Sequence, residues 1–354
     1  MKKRSRSYST SVVHKTQIDF EQSVTALKEL FLNDNIILID SKLKKYVRGL
    51  VTSKNKALVC YLDGSEKTKS IQTLTTTLDK IFLNKKLQVN KKTKIVVIGG
   101  GTLGDFGGFL SHILKRGLEL ILVPSTWLAA MDSANGGKNG INFKEIKNQL
   151  GTIYPAKNVI IIKSLLEQQP LDRKVEGFGE LIKIAYISSA PFFNKIANEK
   201  LNKIDIFQYL PMAIDAKYRV VKQDPLETKG IRYILNFGHT MAHVWESKLG
   251  IHHGIAVILG MYFDFLWADK KGYNVAKDLK IFFQSEVVRG VLSLFYTDLL
   301  FSVSRGEMMS LLSADKKREN QYIKYVFPNG PSKLKIESVR VLEIYEEFLR
   351  QKQL

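Results

Sequence analysis

The chain has six histidines, and four of them, His239, His243, His252 and His253, fall within fifteen residues. His239 and His243 are four apart, which puts them on one face of a helix. Such pairs hold metals, and they also arise by chance on helices. His253 beyond a turn, with Arg232, Asn236 and Glu246 close in sequence, favours the metal. His252 reads as a neighbour only, because two adjacent side chains rarely point at one ion. Periodicity therefore leaves His239, His243 and His253 all as candidate ligands. Arg232 stands one helical turn before Asn236 and two before His239, so the pattern lets it point the same way. A second constellation is Gly177-Phe178-Gly179-Glu180-Leu181-Ile182-Lys183. Glu180 and Lys183 share a helix face at i,i+3. The ordinary alternative is a surface ion pair, but the flanking residues are apolar, which points the acid and the lysine into a site.

Two further sets suit anions. Gly99-Gly100-Gly101-Thr102-Leu103-Gly104-Asp105 follows a strand pattern and opens a helical one. Glycines there let the backbone approach a diphosphate, and a helix N-terminus favours its charge. The plainer alternative is a tight strand–helix turn. Basic and amide residues also stand in Gly-rich or turn contexts. Asp132 precedes Gly136-Gly137-Lys138, Lys147-Asn148 precedes a glycine, and Lys217 and Arg232 flank Asp224-Pro225-Leu226-Glu227. Singly each is more often a solvated charge. Together they suit a multiply charged anion such as a phosphorylated sugar acid, held by charge-assisted hydrogen bonds.

These residues need elements to position them. Apolar β-branched runs predict strands at 36–39, 57–62, 94–98, 119–123 and 159–162, alternating with helices at 66–83 and 103–115. Such alternation predicts a parallel, doubly wound sheet. Beyond about residue 170 helices dominate, at 172–187, 206–222, 237–248, 255–269 and 305–315. A nucleotide-binding half at 18–170 joined to a helical half at 171–354 is expected, with the site in the cleft between them.

Composition bounds the rest. The 45 % apolar fraction allows a proper core, and no apolar run reaches the roughly 18 residues a membrane span needs. Cys60 is the only cysteine, which excludes a disulfide framework and a cysteine-based zinc site and fits a reducing cytoplasm. The 54 basic and 34 acidic residues leave a net charge of +20. That charge is scattered rather than striped, which argues against a nucleic-acid partner. Residues 1–17 lack an apolar core for a secretory signal and read as a loose basic tail.

Taken in order, Gly99–Asp105, Arg116-Gly117, Pro124-Ser125-Thr126, Asp132 through Asn142, Lys147-Asn148, Glu180–Lys183, Arg232-x3-Asn236-Phe237-Gly238-His239-Thr240-x2-His243 and His253-Gly254 resemble the 3-dehydroquinate synthase family of sugar-phosphate cyclases. The likeness runs from about residue 35 to Lys317. It implies an α/β N-terminal Rossmann-like NAD domain and a mainly α-helical C-terminal metal- and substrate-binding domain. It implies Glu180, His239 and His253 as ligands of a divalent metal, zinc first and cobalt second, and turns His243 to the substrate. Further substrate contacts implied are Asp132, Lys138, Asn148, Lys183, Lys217, Glu227, Arg232, Asn236 and one of Lys316 and Lys317. Arg116 would reach the neighbouring subunit's site in a homodimer. NAD contacts implied are Asp40, Glu66, Lys69, Gly100, Gly101, Asp105, Ser125, Thr126 and Lys147.

The chemistry implied is a cycle. NAD takes a hydride from a ring hydroxyl, phosphate leaves by elimination, the hydride returns, and an intramolecular aldol step closes a carbocycle with no net redox change. The sequence departs from the family's usual pattern at Ile255 (usually Glu), Trp127 (usually Leu), Ala134-Asn135, Asn139, Lys42 and Gln168, with one extra residue near Lys229. None removes a metal ligand, but they leave the exact sugar phosphate open. Arg232, Asn236 and His243 favour a carboxylated one. The rival from another class is a metal-dependent polyol dehydrogenase, which would release NADH and has no charge on its substrate to hold.

Overall fold

The computed structural model describes residues 14–144, 146–200, 203–313, 318–319 and 321–354. Residues 1–13 of the expected tail, and Lys316 and Lys317, lie outside them. The chain forms two compact units, one of residues 1–123 with 137–162 and one of 124–136 with 163–354.

The first unit is built on strands β1 (Gln17–Glu21), β2 (Ile36–Asp40), β3 (Leu58–Leu62), β4 (Lys94–Gly99), β5 (Glu119–Pro124) and β8 (Asn158–Ile162), with a separate ribbon of β6 (Lys138–Phe143) and β7 (Ile146–Ile153). The sheet order is β1-β8-β5-β4-β2-β3. The pairs β1–β8, β5–β8, β2–β4 and β2–β3 all run parallel. Gln17, at the end of the expected tail, already pairs with Asn158 in this sheet. Ile36 to Ile39 and Ile95 to Ile98 are buried throughout. Such unbroken β-branched runs are what a strand covered on both faces requires. Strand order reverses between β2 and β4, so Asp40 and the glycines after Gly99 end adjacent strands at a topological switch point, where open α/β sheets bind ligands.

Helix α1 (Ile71–Phe82) is shorter than the 66–83 expected. Ser70 is extended and its side chain accepts the Thr73 N–H, which starts the helix there; Glu66–Thr68 form a separate 3-10 turn. Helix α2 (Gly101–Ile113) opens at Gly100, where no side chain caps it.

The second unit carries α3 (Leu171–Ser188), α4 (Ile206–Gln223), α5 (His239–Leu249) and α6 (His253–Lys270). Helix α6 is apolar nearly all round, as a helix at the centre of a core must be. A small sheet of β9 (Arg318–Glu319), β10 (Tyr322–Pro328) and β11 (Leu334–Arg340), in order β11-β10-β9, and helix α7 (Val341–Gln351) complete it. The helix expected over 237–248 starts at His239, and the helical turns counted back from it to Asn236 and Arg232 do not form. Residues Ile231–Asn236 form a 3-10 turn, and Gly238 adopts left-handed φ +78 before α5 begins. No helix among the described residues is long and apolar enough to cross a membrane.

Candidate metal and anion site

Three helices meet in the second unit at points where their backbones nearly touch. A Cβ on Gly179 would lie 2.0 Å from Gly254 O, and one on Gly254 would lie 1.8 Å from Glu176 O. A Cβ on Gly260 would lie 1.8 Å from Gly238 O. Only glycine permits such crossings of α3 with α6, and of α6 with the start of α5. Three of the four glycines in these contacts adjoin a candidate ligand: Gly179 precedes Glu180, Gly238 precedes His239, and Gly254 follows His253. The crossings bring one donor atom from each of Glu180, His239 and His253 within 4.8 Å of one another.

The donors are of the right kind for a divalent ion. Glu180 is fully buried, stands 2.6 Å from Lys183 Nζ, and among the described residues neither carboxylate oxygen accepts a hydrogen bond of normal geometry. A buried carboxylate with unmet lone pairs is costly unless another cation completes it. Both imidazoles are held by their Nδ1 atoms: His239 against Phe237 O at 3.0 Å, and His253 against Glu246 Oε1 at 3.0 Å. That arrangement leaves Nε2 of each ring as the ligating atom, the usual division of labour for metal histidines. The rings of His239 and His253 are 5.1 Å apart. Burial, together with the charges of Lys183, His253 and His243, drives the His239 pKa well below the ordinary histidine value. Burial pushes the His253 pKa down too, but the carboxylates of Glu246 and Glu180 outweigh it and raise the value. His239 and His253 are half-buried, so the cluster is open on one side. His243 follows His239 by one turn, its ring 5.6 Å away, and is exposed.

Cations surround this cluster. Lys183, 2 % exposed, donates to Leu235 O at 2.8 Å beside Asn236, whose own Nδ2 caps Tyr233 O. Asp132 sits in a one-turn π-helix, Ala129–Ser133, of the kind often found at functional sites. Buried Lys217 of α4 reaches Asp132 Oδ1 at 2.6 Å and also its carbonyl oxygen. Burial pulls the Lys217 pKa down against the pull of Asp132. Burial alone would raise the Asp132 pKa, but the ammonium groups of Lys217 and Lys183 hold it well below the usual range. Arg232 is buried, donates from Nη1 to Pro225 O at 3.2 Å, and its Nε has no partner among the described residues. Asp224 shapes this loop: its buried carboxylate gathers the N–H groups of Thr228, Lys229, Ile231 and Arg232. Glu227, at left-handed φ +58, lies on the same loop.

The first unit holds most of the remaining candidates. Asp40, the last residue of β2, accepts the Lys42 N–H at 3.0 Å. Gly100 and Gly101 open α2, and Asp105, just past its first turn, accepts from Lys69 Nζ at 2.8 Å. Glu66 stands 3.6 Å from that ammonium. Asn148 accepts from it too, while Lys138 and Lys147 lie exposed on β6 and β7. Arg116 is exposed at left-handed φ +59 just after α2. Ser125 and Thr126 lie in the segment 124–136, which belongs to the second unit; Ser125 O accepts from Gln169, and Thr126 Oγ1 accepts the Ala129 N–H.

The structure thus gathers Glu180, His239, His253, Lys183, Lys217 and Asp132 into one cluster, and Glu66, Lys69, Asp105 and Asn148 into another. Glu246, Asp224 and Asn142 have structural parts in these clusters that residue types alone did not assign. For Glu246 a signal existed, since a carboxylate lay seven residues before His253.

Two family models match the chain, that of the 3-dehydroquinate synthase N-terminal domain over residues 59–176 and that of the 3-dehydroquinate synthase C-terminal domain over residues 177–318. A 3-dehydroquinate synthase from Picrophilus torridus is 36 % identical over 317 residues, covering 88 % of each chain. A 2-epi-5-epi-valiolone synthase structure from Streptomyces hygroscopicus, with NAD+ and Zn2+ bound, shares the fold at TM-score 0.77 and 19 % identity over 99 % of each chain. A 2-deoxy-scyllo-inosose synthase complexed with carbaglucose-6-phosphate, NAD+ and Co2+ does so at TM-score 0.74 and 23 % identity, over 94 % of this chain and 96 % of that one. With both halves of the family's architecture matched in sequence, the chain belongs to the 3-dehydroquinate synthase family of enzymes.

Proposed function

We propose that this enzyme converts 3-deoxy-D-arabino-heptulosonate 7-phosphate to 3-dehydroquinate and phosphate, with NAD+ and a divalent metal, zinc or cobalt, as cofactors. The observation that carries the proposal is the Glu180–His239–His253 cluster standing among Lys183, Lys217 and a buried, incompletely partnered Arg232. A neutral polyol gives such cations nothing to bind. When bound, NAD+ serves as a reversible hydride acceptor and the metal polarises the oxygen whose carbon is oxidised and then reduced.

The chain's own residues supply position and charge. Arg232 presents a planar guanidinium to the substrate carboxylate. Asp132, kept ionised by Lys217, is an acceptor for a substrate hydroxyl. Lys217, Lys138, His243, Asn236 and Asn148 supply donors to the carboxylate, hydroxyls and phosphate, and Glu227 an acceptor. Lys183 neutralises charge beside Glu180. Fixing these groups before the substrate arrives lowers the entropic part of the barrier. The dinucleotide is assigned to Asp40, Glu66, Lys69, Gly100, Gly101, Asp105, Ser125, Thr126 and Lys147. Arg116, exposed in a left-handed turn, is assigned to the site of a second subunit in a homodimer.

A cyclase of this kind returns the hydride it removes. With saturating substrate and NAD+, the absorbance of NADH stays flat while phosphate accumulates. NADH growing in step with turnover would replace this proposal with a polyol dehydrogenase.

A further inference from the structure

β6 and β7 slip register between Ile141 and Phe143, which places Asn142 at an irregularity of the ladder. Irregularities of this kind re-aim a side chain. The Asn142 N–H turns to Lys69 O at 2.7 Å instead of continuing the ladder. Its Nδ2 donates to Glu66 Oε1 at 2.9 Å, and its Oδ1 accepts the Asn148 N–H at 2.9 Å. Asn148 is held there at left-handed φ +54. Lys69, 4 % exposed, closes a ring by donating to Asn148 Oδ1 and to Asp105 Oδ2. The bond from Lys69 also fixes which way the Asn148 amide faces, with Oδ1 toward the ammonium. Five polar side chains in one unit thereby link the Glu66–Thr68 turn, α2, β6 and β7.

We propose that Asn142 is a positioning residue that couples dinucleotide binding to the conformation of Asn148. Three members of the ring, Glu66, Lys69 and Asp105, are assigned above to the dinucleotide and a fourth, Asn148, to the substrate, so the proposal rests on that assignment. A dinucleotide that engages any of the three acts on a closed set of bonds whose other members are Asn142 and Asn148. Asn142 touches neither ligand; it transmits, by holding the Asn148 backbone with one end of its amide and Glu66 with the other. Coupling of this kind is reciprocal, so the substrate tightens the dinucleotide by the factor by which the dinucleotide tightens the substrate.

The test compares wild type, Asn142→Ala and Asn142→Asp, by calorimetric NAD+ binding, amide hydrogen exchange over 138–153, and steady-state kinetics. In wild type, NAD+ slows exchange in the hairpin. In Asn142→Ala, NAD+ affinity without substrate stays within about threefold, the hairpin no longer responds, and KM for the heptulosonate phosphate rises roughly 5- to 10-fold with kcat within about twofold, the weight of about one hydrogen bond. Asn142→Asp keeps an acceptor for Asn148 but loses the donor to Glu66. It gives an intermediate response and carries the test if the alanine variant does not fold. Hairpin protection by NAD+ in Asn142→Ala equal to that in wild type overturns the coupling alone. Failure of wild type itself to bind NAD+ overturns the cofactor assignment and the coupling with it.

Discussion

At the scale of single residues, Arg232 and Glu246 have the clearest consequences. Arg232 is buried with Nε unpartnered among the described residues, the state expected of a guanidinium reserved for a carboxylate. Arg232→Ala is expected to lower kcat/KM for the heptulosonate phosphate by roughly 10- to 150-fold, the loss of a charged hydrogen bond of about 1.5–3 kcal/mol. NAD+ affinity should hardly change, and any turnover of sedoheptulose 7-phosphate should fall much less. Equal losses with both sugars would show that the arginine does not read a carboxylate. Glu246 orients His253 through Nδ1. Removing such a partner costs roughly 10- to 100-fold in metal affinity. Chelator competition should find that loss in Glu246→Ala and a smaller one in Glu246→Gln, which keeps an acceptor. Unchanged affinity in the alanine variant would mean that His253 is oriented by packing alone. Residue types and spacing made the histidines, Glu180 and Arg232 legible in the sequence. They could not reveal Asn142 or Asp224, whose importance comes from bonds to atoms distant in sequence or folded back by a loop.

At the scale of elements, the ligand cluster is a product of helix crossings made close by glycine. Gly179→Ala places a methyl 2.0 Å from Gly254 O, which α3 and α6 can relieve only by separating. Overpacking of this kind costs about 1–3 kcal/mol. The variant should lose both thermal stability and metal affinity, because the movement parts Glu180 from His253. Gly290 is the control: it lies exposed within the helix Glu286–Phe295, with nothing within 4 Å of its absent Cβ. Gly290→Ala should raise stability by about 0.4–1 kcal/mol and leave metal binding alone. A Gly179→Ala protein that binds metal as wild type does would show that the crossing has slack. The strands and long helices were legible because apolar periodicity follows burial. The β6–β7 ribbon was not: β7 is exposed along most of its length and shows no apolar alternation. The 3-10 turn at Ile231–Asn236 was also hidden, since helical spacing alone carried Arg232 and Asn236 toward His239, while the left-handed φ of Gly238 goes with its close contact to α6.

At the scale of the molecule, the second unit braces its ligand helices from its C-terminal sheet. Tyr325 of β10 donates to Asp264 of α6, and the other oxygen of Asp264 accepts the Gly238 N–H at 2.8 Å, directly before His239. Tyr186 of α3 donates to Asp278 and accepts the Gly330 N–H. These buried bonds tie residues far apart in sequence, and for that reason periodicity gave no sign of them. The substrate is decided by incubating the protein with NAD+, Zn2+ and, separately, 3-deoxy-D-arabino-heptulosonate 7-phosphate, sedoheptulose 7-phosphate and glucose 6-phosphate, and identifying the product beside released phosphate. Phosphate from the heptulosonate alone, matched mole for mole by 3-dehydroquinate, is the expected result; phosphate from either uncarboxylated sugar and none from the heptulosonate would contradict it.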